Sequence, residues 1–435
     1  MKKTWLLILL VLTVAFAQIS LSFAAVKTIT FLSPETDPTS VKIDQDIIKA
    51  FEDANPGVRV QLQHSAINDL LPKLSIMIKA RTAPDVVFCS PRYVAGLVKQ
   101  KMLLPLNDVW KNIGDINPRF ITLREKGNMY DIPILSESMV LYYRKDLLEK
   151  YNVKVPTTYD EYVEAAQKLT RDTDGDGKTD LYGVGINGVA PDVYVTFVSF
   201  MWSNGAKMFD KNNRVAIDSP EAIQALEYWG KLLKYTPPGV ANTTYHDQAV
   251  QFSQGMTAMV RYPGRLLSTI ERYNPSLGDK VGVAPTPVGP SGKEPVVRTG
   301  INDFIVFRST KEARLAKKFI QFYMADKQYL KFLTDAVPGH SLPVRSSYLT
   351  NSAYYNANPF MRKYQNQIKQ AIECAQKYGS DFHLENPGVV NPYVGEAVTN
   401  PVFAGQLAEF VAGKVTAEQA LRTIADTWRK NLNIK

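Results

Sequence analysis

From Lys27 onward the chain switches repeatedly between two hydrophobic spacings. Residues 27–32 form a β-rich run, and 41–54 then repeat apolar residues at helical spacing until Asn55-Pro56-Gly57 stops them. Residues 58–63 alternate as a second strand. Residues 68–81 return to the helical period and break at Ala83-Pro84, and 86–89 are continuously apolar, as in a strand covered on both faces. Strand and helix in alternation predict an α/β fold with parallel strands and right-handed crossovers.

The pattern predicts a second cycle. Strands are expected at 131–133, 139–143 and 182–186, and helices at 158–170, 192–203, 220–235, 246–254 and 264–273. The Pro/Gly-rich stretch 281–292 precedes an apolar strand at 301–307. A long helix at 311–336 ends at Pro338-Gly339, and Thr416 caps a last amphipathic helix at 417–430.

The first residues read differently. Lys2 and Lys3, an apolar stretch from Trp5 to Ala17 and Ser22-Phe23-Ala24-Ala25 make the pattern of a cleavable signal peptide, placed at 1–24. The expected product is periplasmic or otherwise extracytoplasmic. Neither Cys89 nor Cys374 stands at the cleavage site, so a lipid anchor of the lipobox kind is not expected. The two cysteines either pair or stand as buried free thiols.

At 435 residues the chain is too long for one ordinary core and points to two or three domains. The formal charge of +9 is spread without a run of five basic residues, which argues against nucleic acid as a partner. The four histidines lack the spacing of a helical zinc site, and no nucleophile elbow, phosphate loop or dinucleotide fingerprint occurs. Paired carboxylates of a glycan hydrolase remain an alternative, because their separation is spatial rather than sequential.

One motif is sharper. Asp172, Asp174, Asp176 and Asp180 occupy positions 1, 3, 5 and 9 of a calcium loop, with Gly177 at the turn and the Lys178 carbonyl at position 7. Gly183 replaces the usual bidentate Glu. The motif reads either as a structural Ca²⁺ clamp or as an Asp/Gly-rich surface turn. The chain is also rich in rings, with 22 Tyr and 5 Trp, of the kind that stack on sugar faces or fill cores.

Taken in order, FEDANPG at 51–57, APDVVF at 83–88, YDIPI at 130–134, LYYRKDL at 141–147, PTTYDE at 156–161, GMTAM at 255–259, VAPTP at 283–287 and STK at 309–311 resemble the extracellular solute-binding proteins of ABC sugar importers, the maltose-binding-protein-like family. The resemblance implies two α/β lobes, discontinuous in sequence: 25–134 with 288–340, and 135–287 with 341–435. Crossovers are expected near 132–138, 284–292 and 338–343. It implies a monomer that closes by hinge motion over a sugar or oligosaccharide, needs no cofactor, performs no catalysis and hands its cargo to a membrane permease.

The resemblance also carries residues. The loop after the first strand offers Glu35, Thr36 and Asp37, and that after 85–88 offers Ser90, Arg92 and Tyr93, although Cys89 stands where the family has a stacking ring. Glu137 matches a hydroxyl-binding carboxylate, and Asp192 and Tyr194 match an acid and an aromatic of the second lobe. Tyr262 and Arg265 replace the family's Gly-Pro-Trp region. Trp202, Asn204, Thr299, Asn302 and Tyr393 complete the set. Arg92, Arg261, Arg265 and Arg298 motivate an acidic solute, a uronate or phosphorylated polyol, as an alternative. Two other classes are a hydrolase with Glu137 and Asp192 as acid and base, and a calcium-stabilised adhesion module.

Overall fold

The computed structural model describes residues 26–66 and 69–434, and of Tyr93 only the backbone. The signal peptide expected at 1–24 and the start of the helix expected at 68 lie outside the described residues.

Two sheets organise the chain. In the larger, the strands run in the order Leu342–Pro343, Ile132–Ser138, Val297–Val306, Val86–Cys89, Lys27–Ser33, Val58–His64, with Gly379–Ser380 added beside the start of Val297–Val306. The smaller runs Val281–Ala284, Val140–Arg144, Thr257–Tyr262, Tyr182–Gly185. Lys27–Ser33 pairs in parallel with both Val58–His64 and Val86–Cys89, as helical crossovers require. Val297–Val306 is antiparallel to both of its long neighbours, which corrects the expectation of a parallel sheet. The reason is its route, since it enters from the smaller sheet rather than through a helix on the same lobe.

Local chemistry fixes the elements. Val86–Cys89 is buried at every position, so hydrophobic burial alone favours it as a central strand. Asp85 takes hydrogen bonds from the Thr30 backbone and hydroxyl at 2.7 and 2.9 Å, which locks that strand to the first. Asp37 caps Pro38–Asp53 by accepting from Thr39 and Ser40. Capping boxes start Tyr159–Leu169 at Thr158 and Ala417–Leu432 at Thr416. The last helix buries Leu421, Ile424 and Trp428, with Trp428 stacked on Phe209 at 5.7 Å.

The helix expected at 311–336 is three pieces, Ala313–Tyr323, Asp326–Lys331 and a π-turn Phe332–Ala336. Ala325 is extended at ψ 146°, and the Arg345 guanidinium binds the Met324 carbonyl and the Asp326 carboxylate on either side of it. That anchoring outweighs the helical propensity of the run. Cys89 and Cys374 are both free and buried. Among the described residues no helix is long and apolar enough to cross a membrane.

The chain passes between the sheets at short segments. Ile132–Ser138 and Val140–Arg144 follow one another with only Met139 between them, and its N–H donates to the Arg298 carbonyl at 2.8 Å. The stretch 285–296 carries the chain back, tied by the Gly289 N–H to the Ser203 carbonyl and by Ser203 Oγ to the Val296 carbonyl. The helix Gln365–Tyr378 packs against Val281–Ala284 and fixes it through Gln367, which donates to the Gly278 and Val281 carbonyls at 2.9 and 3.0 Å. A large core joins the first sheet to one face of the second, and a separate core of Tyr159, Phe197, Trp229 and Trp428 covers the other face.

One close approach joins the two halves. A Cβ at Gly264 would overlap the Gly339 carbonyl oxygen and crowd the His340 Cα. Only a hydrogen at this position lets the helix Arg265–Tyr273 start against the segment 337–341. Gly264→Ala is therefore expected to force the two backbones apart and to lower stability by about 1–3 kcal/mol, the usual cost of overpacking, read by urea denaturation. An unchanged midpoint would show that the contact is not constraining.

Candidate functional site

A cavity of about 830 Å³ opens where strand ends of the two sheets face each other. Its lining comes from the loop Pro34, Glu35, Thr36 and Asp37, from Glu137 and Asn302 of the larger sheet, from Tyr262 at the end of Thr257–Tyr262, and from the helix Arg265–Tyr273. Ala66, Ala336, Val337 and Pro338 form an apolar rim. This is the position at which open α/β sheets bind ligands, beyond the ends of strands.

The sequence brings these groups here for local reasons. Asp37 ends the first loop because its carboxylate is committed to the helix cap, which holds Glu35 and Thr36 over the sheet. The ladder between Ile132–Ser138 and Val297–Val306 slips at Asn302/Asp303. That irregularity leaves Asn302 on the cavity wall while Asp303 is buried in the lobe beside Thr122 and Asp131. Helix Arg265–Tyr273 buries Leu266, Leu267 and Ile270 and turns Arg265, Ser268, Thr269 and Arg272 toward the cavity, as an amphipathic helix must.

Charge is arranged around Glu137. His340 Nε2 lies 3.3 Å from its carboxylate. Burial would raise this carboxyl, but His340, Arg298 and Arg265 together hold it down to about 2. Glu35 goes the other way: burial, and then the neighbouring Asp44, Asp37 and Glu137 carboxylates, push it up to about 7 against the Ser40 hydrogen bond. Burial also works against ionisation of Asp37, yet its bonds from Ser40 and Thr39 and the Arg265 charge leave it lowered. Tyr262 is stacked on Tyr245 with ring centres 4.5 Å apart. The wall thus mixes carboxylates, guanidinium donors and hydroxyls.

The structure gathers Glu35, Thr36, Asp37, Glu137, Tyr262, Arg265 and Asn302 from the sequence-predicted set. The lining also includes His246, Ser268, Thr269, Arg272 and Tyr273, which the sequence reading does not single out; the helical spacing of 265, 268, 269 and 272 is the one signal that points to part of this group. His340, also not singled out, and Arg298, a candidate for an acidic solute, stand behind the wall beside Glu137. A second group is adjacent rather than lining. Arg92 acts electrostatically on Asp192, whose carboxyl is raised by burial in spite of it. Tyr194 packs against Phe403 and Phe382 at 5.2 and 6.3 Å, Tyr393 is half-buried against the same core, and Ser90 is buried ahead of the helix Pro91–Lys99. The Tyr93 side chain lies outside the described residues.

Three expected contacts lie outside the cavity lining. Asn204 is fully buried and spends its amide within the protein, donating to the Glu221 carbonyl and Gln224 and accepting from the Ser291 N–H. Trp202 packs edge-on against Phe382, and its Nε1 donates to Glu385 at 2.6 Å. Thr299 is fully buried, its hydroxyl donating to the Val297 carbonyl.

In the loop at 172–180, Asp172, Asp174 and Asp176 each offer a carboxylate oxygen within 4.8 Å of the others. Asp180 is turned to the Thr173 N–H and hydroxyl, and backbone N–H groups hold Asp172. The Lys178 N–H donates to Asp176 at 2.7 Å. A separate hollow of about 690 Å³, between 117–124, 294–296 and 378–388, contains none of the sequence-predicted contacts.

A family model described as bacterial extracellular solute-binding protein matches residues 36–329. A putative binding protein of Brucella abortus (strain 2308) is 28% identical over 71% of this chain and 75% of its own length. The maltodextrin-binding protein MdxE of Bacillus subtilis (strain 168) is 26% identical over 70% of this chain and 71% of its own. Among solved structures, an ABC transporter solute-binding protein from Agrobacterium radiobacter K84 in complex with ribitol superposes with a TM-score of 0.72 at 22% identity, covering 93% of this chain and 99% of that one.

Proposed function

Because the chain belongs to the bacterial extracellular solute-binding protein family, we propose that it captures a sugar, polyol or short oligosaccharide between its lobes and delivers it to the membrane permease of an ABC importer. The observation that carries this reading is the cavity wall, in which Glu137 and the Asn302 amide oxygen can accept while Arg265 and Arg272 can donate. A hydroxyl-rich neutral solute both donates and accepts, so it satisfies such a wall where a purely apolar or singly charged guest would leave groups unpaired. Relatives that bear maltodextrin and ribitol in their names support the same class.

Capture is a binding event in this proposal, with no bond broken. Closure removes water from the cavity and strengthens each polar contact, after which the closed form is presented to the permease. In this reading the monomer is exported by the signal peptide at 1–24 and works outside the cytoplasmic membrane. An acidic solute is favoured by one observation, the guanidinium groups of Arg265 and Arg272 on one helix face.

The test is a thermal-unfolding screen of neutral mono- and oligosaccharides, polyols, uronates and sugar phosphates. A ligand at a hundredfold its Kd adds about 2.7 kcal/mol of stability by mass action. Silence from every class, with native protein confirmed, would sink the proposal. Stabilisation by uronates alone would select the acidic reading, and hydrolysis of a bound glycan on long incubation would replace transport by catalysis.

The loop at 172–180 is where a structural Ca²⁺ would sit, clamped by Asp172, Asp174 and Asp176 with a backbone oxygen at Lys178, far in role from capture. Millimolar Ca²⁺ is then expected to raise the melting temperature over an EDTA control and to lose that effect in Asp174→Ala. Identical melting with Ca²⁺ and EDTA would leave the loop as a plain turn.

A further inference from the structure

Resting on the sugar-capture reading, we infer that Tyr273 is the platform of an outer subsite, and that it makes the protein prefer chains of two or more sugar units to single units. Among the described residues only four large hydrophobic side chains are exposed, and Tyr273, at 42%, is the one that lines the cavity. Its ring stands at the edge of a polar cavity with the Arg272 guanidinium beside it. The apolar face of a sugar ring is the natural partner for such a surface, which otherwise stands in water.

The helix carrying it supplies the geometry. Arg265 stands at its first turn and acts on Glu137 and Asp37, while Tyr273 is its last residue. Eight steps of 1.5 Å separate the two ends by about 12 Å, a length greater than one pyranose ring. The intervening cavity-facing positions, Ser268, Thr269 and Arg272, are all hydrogen-bonding residues. The Arg272 guanidinium lies 5.5 Å from the Tyr273 ring centre, within the range at which a cation orients a ring. A first sugar unit at Glu137 therefore leaves a polar track leading to an aromatic platform, and a second or third unit fills it. The volume of about 830 Å³ exceeds what one sugar ring occupies.

The experiment is calorimetric titration of glucose, arabinose and xylose, and of their linear oligomers up to four units, into the wild type and into Tyr273→Ala, Tyr273→Ser and Tyr273→Phe. A stacking contact of ordinary strength changes affinity about tenfold. The wild type is expected to bind the trimer of its preferred series about tenfold more tightly than the monomer. Tyr273→Ala and Tyr273→Ser are expected to bring that ratio towards one, and Tyr273→Phe to restore it. An unchanged ratio in the Ala and Ser variants, or a wild type indifferent to chain length, overturns the outer subsite while leaving sugar capture standing. Failure of every series to bind overturns both.

Discussion

Glu137→Gln is expected to weaken capture by about ten- to a hundredfold, because a hydrogen bond to an ionised group contributes about 1.5–3 kcal/mol and each 1.4 kcal/mol is a factor of ten. The substitution keeps the shape and removes the charge. Glu137 is where His340, Arg298 and Arg265 converge, so its loss also leaves the Arg298 and Arg265 guanidinium groups without their common counter-charge and the His340 ring without its carboxylate partner. The melting temperature of the empty protein should fall in parallel. Since this carboxyl is held at about 2 in the folded chain against an ordinary 4.5, its contribution is complete above pH 4.5 and disappears as the pH drops towards 2. The Gln variant should therefore lose stability at neutral pH and show a flatter acid limb. Affinity within twofold of the wild type, by calorimetry, would remove Glu137 from the binding site.

The largest effect on stability is expected from Glu385→Ala, at about 3–5 kcal/mol. Its carboxylate accepts from Trp202 Nε1 at 2.6 Å, the Met208 N–H at 2.8 Å and the Phe209 N–H at 3.2 Å, all buried. Truncation strands those donors away from water, and each stranded donor costs about 1–3 kcal/mol. Glu385→Gln keeps one accepting oxygen and should cost less than half as much. Burial pushes this carboxyl up to about 7 in spite of its three donors. Between about pH 4.5 and 7 the folded state thus holds a proton that the unfolded chain has released, so stability falls as pH rises through that window. The Gln variant should flatten the slope, and Glu35, raised to about 7 as well, should keep part of it. A Glu385→Ala protein as stable as the wild type in urea would show that water reaches the three donors.

The sequence and the structure agree where a single segment decides its own fate. The helices Pro38–Asp53, Pro220–Leu232 and Ala417–Leu432 carry apolar residues at the helical period and strong caps, and they were legible to within a few residues. The strand Val297–Val306 begins four residues ahead of the expected one, because Arg298, Thr299 and Gly300 look like loop chemistry until the partner strand satisfies them. The long helix divides at Ala325 because Arg345, distant in sequence, holds the break.

The site was legible where a loop leaves a strand, as at Glu35 and Asp37, or where a helix turns a polar stripe outward, as at Arg265. Nothing local announces that His340 will lie beside Glu137. Trp202 and Asn204 suit sugar contacts by type, while the partners they have in the fold, Glu385 and Ser291, come from segments far along the chain.

The antiparallel strand at the heart of the larger sheet imposes an order of assembly. Val297–Val306 lies between Val86–Cys89 and Ile132–Ser138, so until residue 306 has been made the facing edges of those two strands stay bare, although Val86–Cys89 can already pair with Lys27–Ser33 on its other side. Contacts this remote in sequence close slowly, since the intervening loop must be gathered before any ladder rewards it.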